Sequence, residues 1–157
     1  MQKIDLNSGF FGIGIYQPKF DENIGTLWRH AYLYNASFIF KIGNSDKRFT
    51  LCTDTTKSYR HVPHYFYKSF NDFKESLPYK AKVIGVEMTE SAVYLNKYSH
   101  PKQAIYLLGP EDYGLPQDIL NQCDDVIKLY SPKPHSMNVA VTGSIVMYDR
   151  TIKLGNL

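Results

Sequence analysis

The 157-residue sequence has only two cysteines, Cys52 and Cys123. Two are too few for a disulfide framework, and they lack the paired spacing of a zinc site. They read as reduced thiols, which fits a cytoplasmic protein. No apolar stretch approaches the roughly 20 residues of a membrane-spanning helix. The first ten residues include Asp5 and do not show the order of a secretory leader. P-loop, nucleophile-elbow and metal signatures are all missing, so phosphate transfer, serine hydrolysis and metalloenzyme chemistry have no support. His61 and His64 have no third ligand at a suitable spacing and read as RNA-facing or structural rather than metal-binding. Internal repeats and low-complexity tracts are absent too.

Aromatic residues, in contrast, are abundant at 15%, with 13 Tyr and 9 Phe. With 43% hydrophobic and 21% charged residues, the composition is that of a folded globular chain. The formal net charge is only +3, but it is unevenly spread: 0 over residues 1–40, +5 over 41–82 and −2 over 83–157. The basic third also holds Tyr59, Tyr65, Phe66, Tyr67, Phe70, Phe73 and Tyr79. Cations suit phosphates and rings suit unstacked bases, so this segment is a candidate RNA-facing surface. It reads equally well as a solvated loop with its own aromatic minicore.

Strands alternate with helices along the chain. Phe10–Tyr16 is a short apolar run and reads as a buried strand. Its Gly12 and Gly14 lie inside the strand, which argues against a dinucleotide fingerprint. Ile24, Leu27, Trp28 and Ala31 follow helical spacing, predicting a helix from about Asn23, with Asn23 as its N-cap. Strands follow at 37–43, 61–67 and 81–87, with a polar loop over 44–60 and a short helix over 69–77. Residues 90–102 read as a polar helix-and-loop connection. Ala104–Leu108 is a further strand. It feeds the turn Gly109-Pro110-Glu111-Asp112-Tyr113-Gly114-Leu115, with Pro116 opening a helix over 117–122. In open α/β sheets such turns, past the carboxyl ends of strands, are where ligands bind. A strand at 125–130 and a rigid turn precede a last helix, which runs to about Ile152 with Ser136 as a capping candidate. Its Ala140, Gly143, Ser144 and Met147 form a stripe of small residues and one flexible one, able to pack inside the subunit or across a dimer. The pattern predicts an α/β domain with a largely parallel sheet over residues 1–157.

Three stretches, each at a strand-to-helix junction, carry a family resemblance. Asn23-Ile24-Gly25-Thr26-Leu27-Trp28-Arg29, Gly109 to Leu115, and Ser136-Met137-Asn138-Val139-Ala140-Val141 resemble, in order, the three motifs of the SpoU/TrmH branch of the SPOUT RNA methyltransferases. The chain is similar in length to minimal members that lack an added RNA-binding domain. The resemblance implies a methyltransferase that uses S-adenosyl-L-methionine on a ribose 2′-hydroxyl of tRNA or rRNA. The alternatives are a catalytically silent RNA-binding module and a base-methylating enzyme on the same fold. It also implies a deep trefoil knot over about 81–157 and a homodimer whose active site is shared across the interface. Carried onto this sequence, Arg29 would activate the hydroxyl and Asn23 would hold the geometry around it. Glu111 would orient Arg29 or the loop, and Asn138 would contact the reacting region. The cofactor would lie against Val86, Glu87, Gly109 and Leu129, closed by Ser136 and Met137. Asp112 matches no motif position and reads as simply solvated. The family's usual Ile-Pro-Met after the last strand is replaced by Leu129-Tyr130-Ser131-Pro132-Lys133-Pro134.

Overall fold

The computed structural model describes residues 9–43 and 57–155. Most of the loop expected at 44–60 therefore lies outside the described residues. Seven strands form one sheet: β1 (Phe10–Tyr16), β2 (Phe38–Ile42), β3 (His64–Tyr67), β4 (Lys82–Val86), β5 (Val93–Tyr94), β6 (Gln103–Leu108) and β7 (Asp125–Lys128). Their order is β3-β2-β1-β6-β4-β7-β5, and every pairing is parallel. All strands therefore end on one rim, so every loop leaving a strand starts on the same side of the molecule.

Each face of the sheet has its own core. Helices α1 (Asp21–Leu33) and α4 (Val139–Leu154) pack on one face, over Ile13, Ile15, Tyr106 and Leu108. The short helices α2 (Phe70–Glu75) and α3 (Gln117–Leu120) cover the other, over Phe40, Ile105 and Leu107. Strand periodicity explains the glycine pair in β1. Phe11, Ile13 and Ile15 point toward α1, so Gly12 and Gly14 face the opposite core. There they stand beside Phe38 and Phe40, and a Cβ on Gly14 would lie 2.6 Å from the Phe40 ring. The glycines make room for aromatic rings of the neighbouring strand.

The helix stripe expected from small residues packs inside the subunit. Ala140, Gly143 and Met147 are buried, and a Cβ on Gly143 would lie 2.6 Å from Leu27 of α1. Several boundaries differ from expectation, among them the start of β3 at His64 and the end of α3 at Leu120. Helix α1 begins at Asp21 with Phe20 at its N-cap, so Asn23 lies in the first turn and does not cap it. Residues 90–102 form a two-residue strand and a 3₁₀ turn (Leu95–Lys97), not a helix. Strand β7 stops at Lys128, whose ammonium donates to the Thr89 and Glu90 carbonyls at 2.8 and 3.2 Å. That tether joins the loop after β4 to the end of β7.

At the opposite rim, α4 is anchored by Arg150, only 4% exposed. Its guanidinium donates to the carbonyls of Pro101 (2.7 Å), Lys102 (2.8 Å) and Phe10 (3.4 Å) and to the Tyr106 hydroxyl (3.3 Å). One turn away, Lys153 donates to the Leu95 and Tyr98 carbonyls and pairs with Asp149. Asp149 also holds the buried His100 at 2.8 Å. Burial pushes the His100 pKa down despite that carboxylate. Removing a buried cation strands the acceptors around it. Arg150→Ala is therefore expected to cost about 2–3 kcal/mol in denaturant unfolding, with little recovery in Arg150→Lys, because an ammonium lacks the planar fork. A loss below about 0.5 kcal/mol would contradict this account.

Candidate active site

A cleft of about 340 Å³ opens at the carboxyl rim of β4, β6 and β7. Three loops build it: Val86–Met88, Leu108–Gly114 and the stretch from Lys128 to Met137, with the start of α4 behind them. Val86, Glu87, Gly109, Leu129, Ser136 and Met137, singled out from the sequence as one set, all line it. Lys128, His135 and Thr142 line it too and were not anticipated. Their positions at a strand end, in a loop and on a helix flank leave no pattern to find them by.

Glu87 is engaged within the wall itself. One carboxylate oxygen accepts from the Leu115 N–H at 2.7 Å, the other from the Met88 N–H at 2.9 Å. Gly114 lies against it with φ +69°, in the left-handed region. Glu87 thus fixes the Gly109–Leu115 turn from beneath. Gly109 is needed for the turn's own shape, because a Cβ there would lie 2.5 Å from the Leu115 nitrogen.

The three motif side chains expected to act together form one hydrogen-bonded chain. Asn138 Nδ2 donates to Asn23 Oδ1 at 2.9 Å, and Asn23 Nδ2 donates to Glu111 Oε1 at 2.6 Å. The other Glu111 oxygen accepts from the Lys19 N–H at 3.1 Å. The direction of this chain is forced. An ionised carboxylate only accepts, so Asn23 must offer Glu111 its NH₂ group and keep its carbonyl for Asn138. Asn138 then offers its NH₂, leaving its own carbonyl for the first N–H groups of α4. That carbonyl accepts from Ala140 at 3.0 Å and Val141 at 3.2 Å. So Asn138, not Ser136, caps α4.

Glu111 thus bridges Asn23 and the Lys19 backbone. Asp112, expected to be merely solvated, pairs with Lys19 at 2.5 Å. That contact raises the Lys19 pKa. Together the two carboxylates tie the loop after β6 to residues 17–20 after β1.

Arg29 stands apart. It lies six residues beyond Asn23, which is ~9 Å along α1 and about a third of a turn around it. It is exposed and does not line the cleft of its own chain. The structure thus joins Asn23, Glu111 and Asn138 and leaves Arg29 on the outer face of α1.

Comparison with known proteins agrees with the architecture. Residues 11–148 match the model of the SpoU rRNA Methylase family. Over 72 residues, 44% of the chain, it is 33% identical to tRNA (guanosine(18)-2'-O)-methyltransferase TARBP1 of Mus musculus, covering 4% of that protein. Its matches to curated relatives span 4%, 5% and 39% of their lengths. A solved structure described as giving insights into the 2-OH methylation of C/U34 on tRNA superimposes with a TM-score of 0.84 at 24% identity, covering 96% of this chain and 99% of that one. The AdoMet-bound rRNA methyltransferase from Sinorhizobium meliloti gives a TM-score of 0.80 at 20% identity, covering 92% and 56%. Among the described residues no helix is long and apolar enough to cross a membrane. With 138 consecutive residues matched on a parallel sheet whose three motif segments are joined by hydrogen bonds, the chain belongs to the SpoU rRNA Methylase family.

Proposed function

We propose that the protein is a homodimeric enzyme that moves a methyl group from S-adenosyl-L-methionine to a ribose 2′-hydroxyl of tRNA or rRNA. The observation that carries this reading is the directed chain Asn138–Asn23–Glu111, which links all three motifs at the edge of the cleft. The cleft's chemistry suits the cofactor. Val86, Leu108, Leu129 and Val139 supply apolar wall, and loop backbone offers polar contacts for an adenine. Glu87, Glu111 and Asp112 place carboxylates where a cationic sulfonium would be favoured. That sulfonium, when bound, supplies an electrophilic methyl group.

The protein's task is on the hydroxyl side. A ribose 2′-oxygen holds its proton at neutral pH and must be aligned for attack. Arginine stays protonated in proteins, so Arg29 acts by charge and donated hydrogen bonds. It holds the neighbouring RNA phosphate and lowers the cost of charge developing on the 2′-oxygen as its proton passes to solvent water. Asn23 and Asn138 hold Glu111 at the edge of the site.

Since Arg29 does not line its own cleft, it serves the cleft of a second copy. An apolar stripe on α4 supports the pairing: Val141, Ile145, Tyr148 and Ile152 are 44%, 36%, 55% and 43% exposed. Their 4-3-4 spacing places them on one helix face. The same reading includes a trefoil knot over 81–157. The non-sequential order β6-β4-β7-β5 and the gathering of three loops at one rim support it.

The test is transfer of labelled methyl to tRNA and rRNA, with the modified nucleoside identified by mass spectrometry. A 2′-O-methyl nucleoside is expected; a methylated base or no product refutes the reading. Mixing then tests the shared site. Arg29→Ala and Gly114→Ala chains, each inactive alone, are expected to regain about a quarter of wild-type activity after mixed refolding. Half the dimers are then mixed, and one of the two sites in each is intact. If Arg29 served its own cleft, mixing would restore nothing.

A further inference from the structure

The basic third of the chain carries a surface that the methyl-transfer site leaves unused. On α1, Arg29 and Tyr32 are three residues apart and so are neighbours on the helix surface. The His61 ring stacks on Tyr32, with centroids 4.6 Å apart and planes at 22°. Next to His61, the Arg60 guanidinium sits 5.8 Å from the centre of the Tyr59 ring. The result is a strip of exposed side chains running Arg29, Tyr32, His61, Arg60 and Tyr59, in which three rings are interspersed with two guanidinium groups. All five side chains are exposed. Tyr32 and Tyr59, at 40% and 42%, keep much of their ring area in water.

The strip is held in shape from behind. Trp28, buried in α1, donates its indole N–H to the Val62 carbonyl at 2.8 Å. The turn Ser58–Arg60 is closed by bonds from the Arg60, His61 and Val62 N–H groups to Lys57 and Ser58. A firm scaffold that presents rings and guanidinium groups to solvent limits the ordering cost of binding. The charge is of one sign: no carboxylate occurs in the sequence between Asp54 and Asp72, whereas Lys57, Arg60 and Lys68 do. The strip also lies clear of α4. His30 of α1 contacts Ser144 and Tyr34 meets Tyr148 on the α4 side, while Tyr32 turns to the opposite flank. Pairing of two chains through α4 leaves it open.

We propose that this strip binds single-stranded RNA next to the modified nucleotide, with Arg60 and Lys57 on phosphates and an unstacked base laid on the Tyr59 or Tyr32–His61 rings. A single strand is favoured over a duplex because exposed rings contribute only when a base face is available. The assignment rests on the proposed RNA methyl transfer, since it is Arg29 that sets which end of the strip meets the reacting ribose.

The test compares wild type with Tyr59→Ala/Arg60→Ala and with His61→Ala, all at exposed positions. Affinity is measured for oligouridine and bulk tRNA across a salt series, and for S-adenosylhomocysteine. The double variant is expected to bind both RNAs about 10- to 100-fold more weakly. Its slope of log affinity against log salt should fall by about 0.7 for the lost phosphate contact. Affinity for S-adenosylhomocysteine and kcat should stay put while KM for tRNA rises. Unchanged RNA affinity and salt slope in both variants would overturn the proposal, as would loss of the dimer, which would make the strip a subunit interface. A wild type that binds oligouridine through the strip but transfers no methyl would refute the catalytic reading and leave this one standing.

Discussion

Arg29→Ala is expected to slow methyl transfer by about 10²–10⁴-fold while leaving affinity for S-adenosylhomocysteine within about twofold. The magnitude is that of removing one preorganised charge-stabilising donor from a site where charge develops. The separation of the two effects follows from place. Arg29 is exposed on α1 and does not line the cleft, whereas the cofactor's candidate contacts all do. Its removal leaves the loops Val86–Met88 and Gly109–Leu115 untouched. Arg29→Lys is expected to recover little, because a point charge cannot hold a phosphate oxygen and a 2′-oxygen in one plane. Single-turnover transfer beside calorimetry reads both quantities. If Arg29→Ala retained more than about a tenth of the wild-type rate, the arginine would have no direct part in the reaction.

Gly114→Ala should have the reverse signature: binding of S-adenosylhomocysteine weakened by about 10²–10³-fold or more, with the sheet intact. Two costs coincide at this residue. Its φ of +69° strains any residue with a Cβ. The added methyl would also fall on the Glu87 carboxylate, which holds the Leu115 N–H at 2.7 Å. Displacing Glu87 frees the turn, and with it Gly109 and the Glu111 end of the hydrogen-bonded chain. The sheet behind the turn, β6 with Ala104 to Leu108 buried, keeps its pairings with β1 and β4. Far-ultraviolet circular dichroism should therefore change little. Calorimetry decides the matter: affinity within about threefold of wild type would show that the turn tolerates movement and that Glu87 is not its latch.

Much of this molecule can be read from its residues, because periodicity and turn chemistry act locally. The apolar run Phe10–Tyr16, the stripe Ile24–Leu27–Trp28–Ala31 and the turn after Leu108 each specify their own conformation. The motif residues were legible only as a set. The readings that failed involve partners distant in sequence. Asn23 has the chemistry of an N-cap, but Asn138, 115 residues on, takes its side-chain oxygen instead. Asp112 finds Lys19 across 93 residues. Ser136 and Asn138 are both capping types, and only the arrival of Asn23 turns the Asn138 amide so that its carbonyl faces α4. At 90–102, polar composition suggested a helix, but β7 offered a free edge, and Val93 and Tyr94 pair with Ile127 and Lys128. Arg150 carried no motif, and nothing in its neighbours signals that it would be buried.

The two ends of α4 are bound in different ways. Its last turns are fastened by Arg150 and Lys153, whose donors reach five backbone carbonyls at the closed rim of the sheet. Its first turn is held by the Asn138 amide and by the buried side chains of Val139 and Ala140. The helix is ~24 Å long, enough to connect the two rims. It is pinned by polar donors at the far rim and by core packing where it meets the cleft. Its register along the sheet is therefore fixed at both ends.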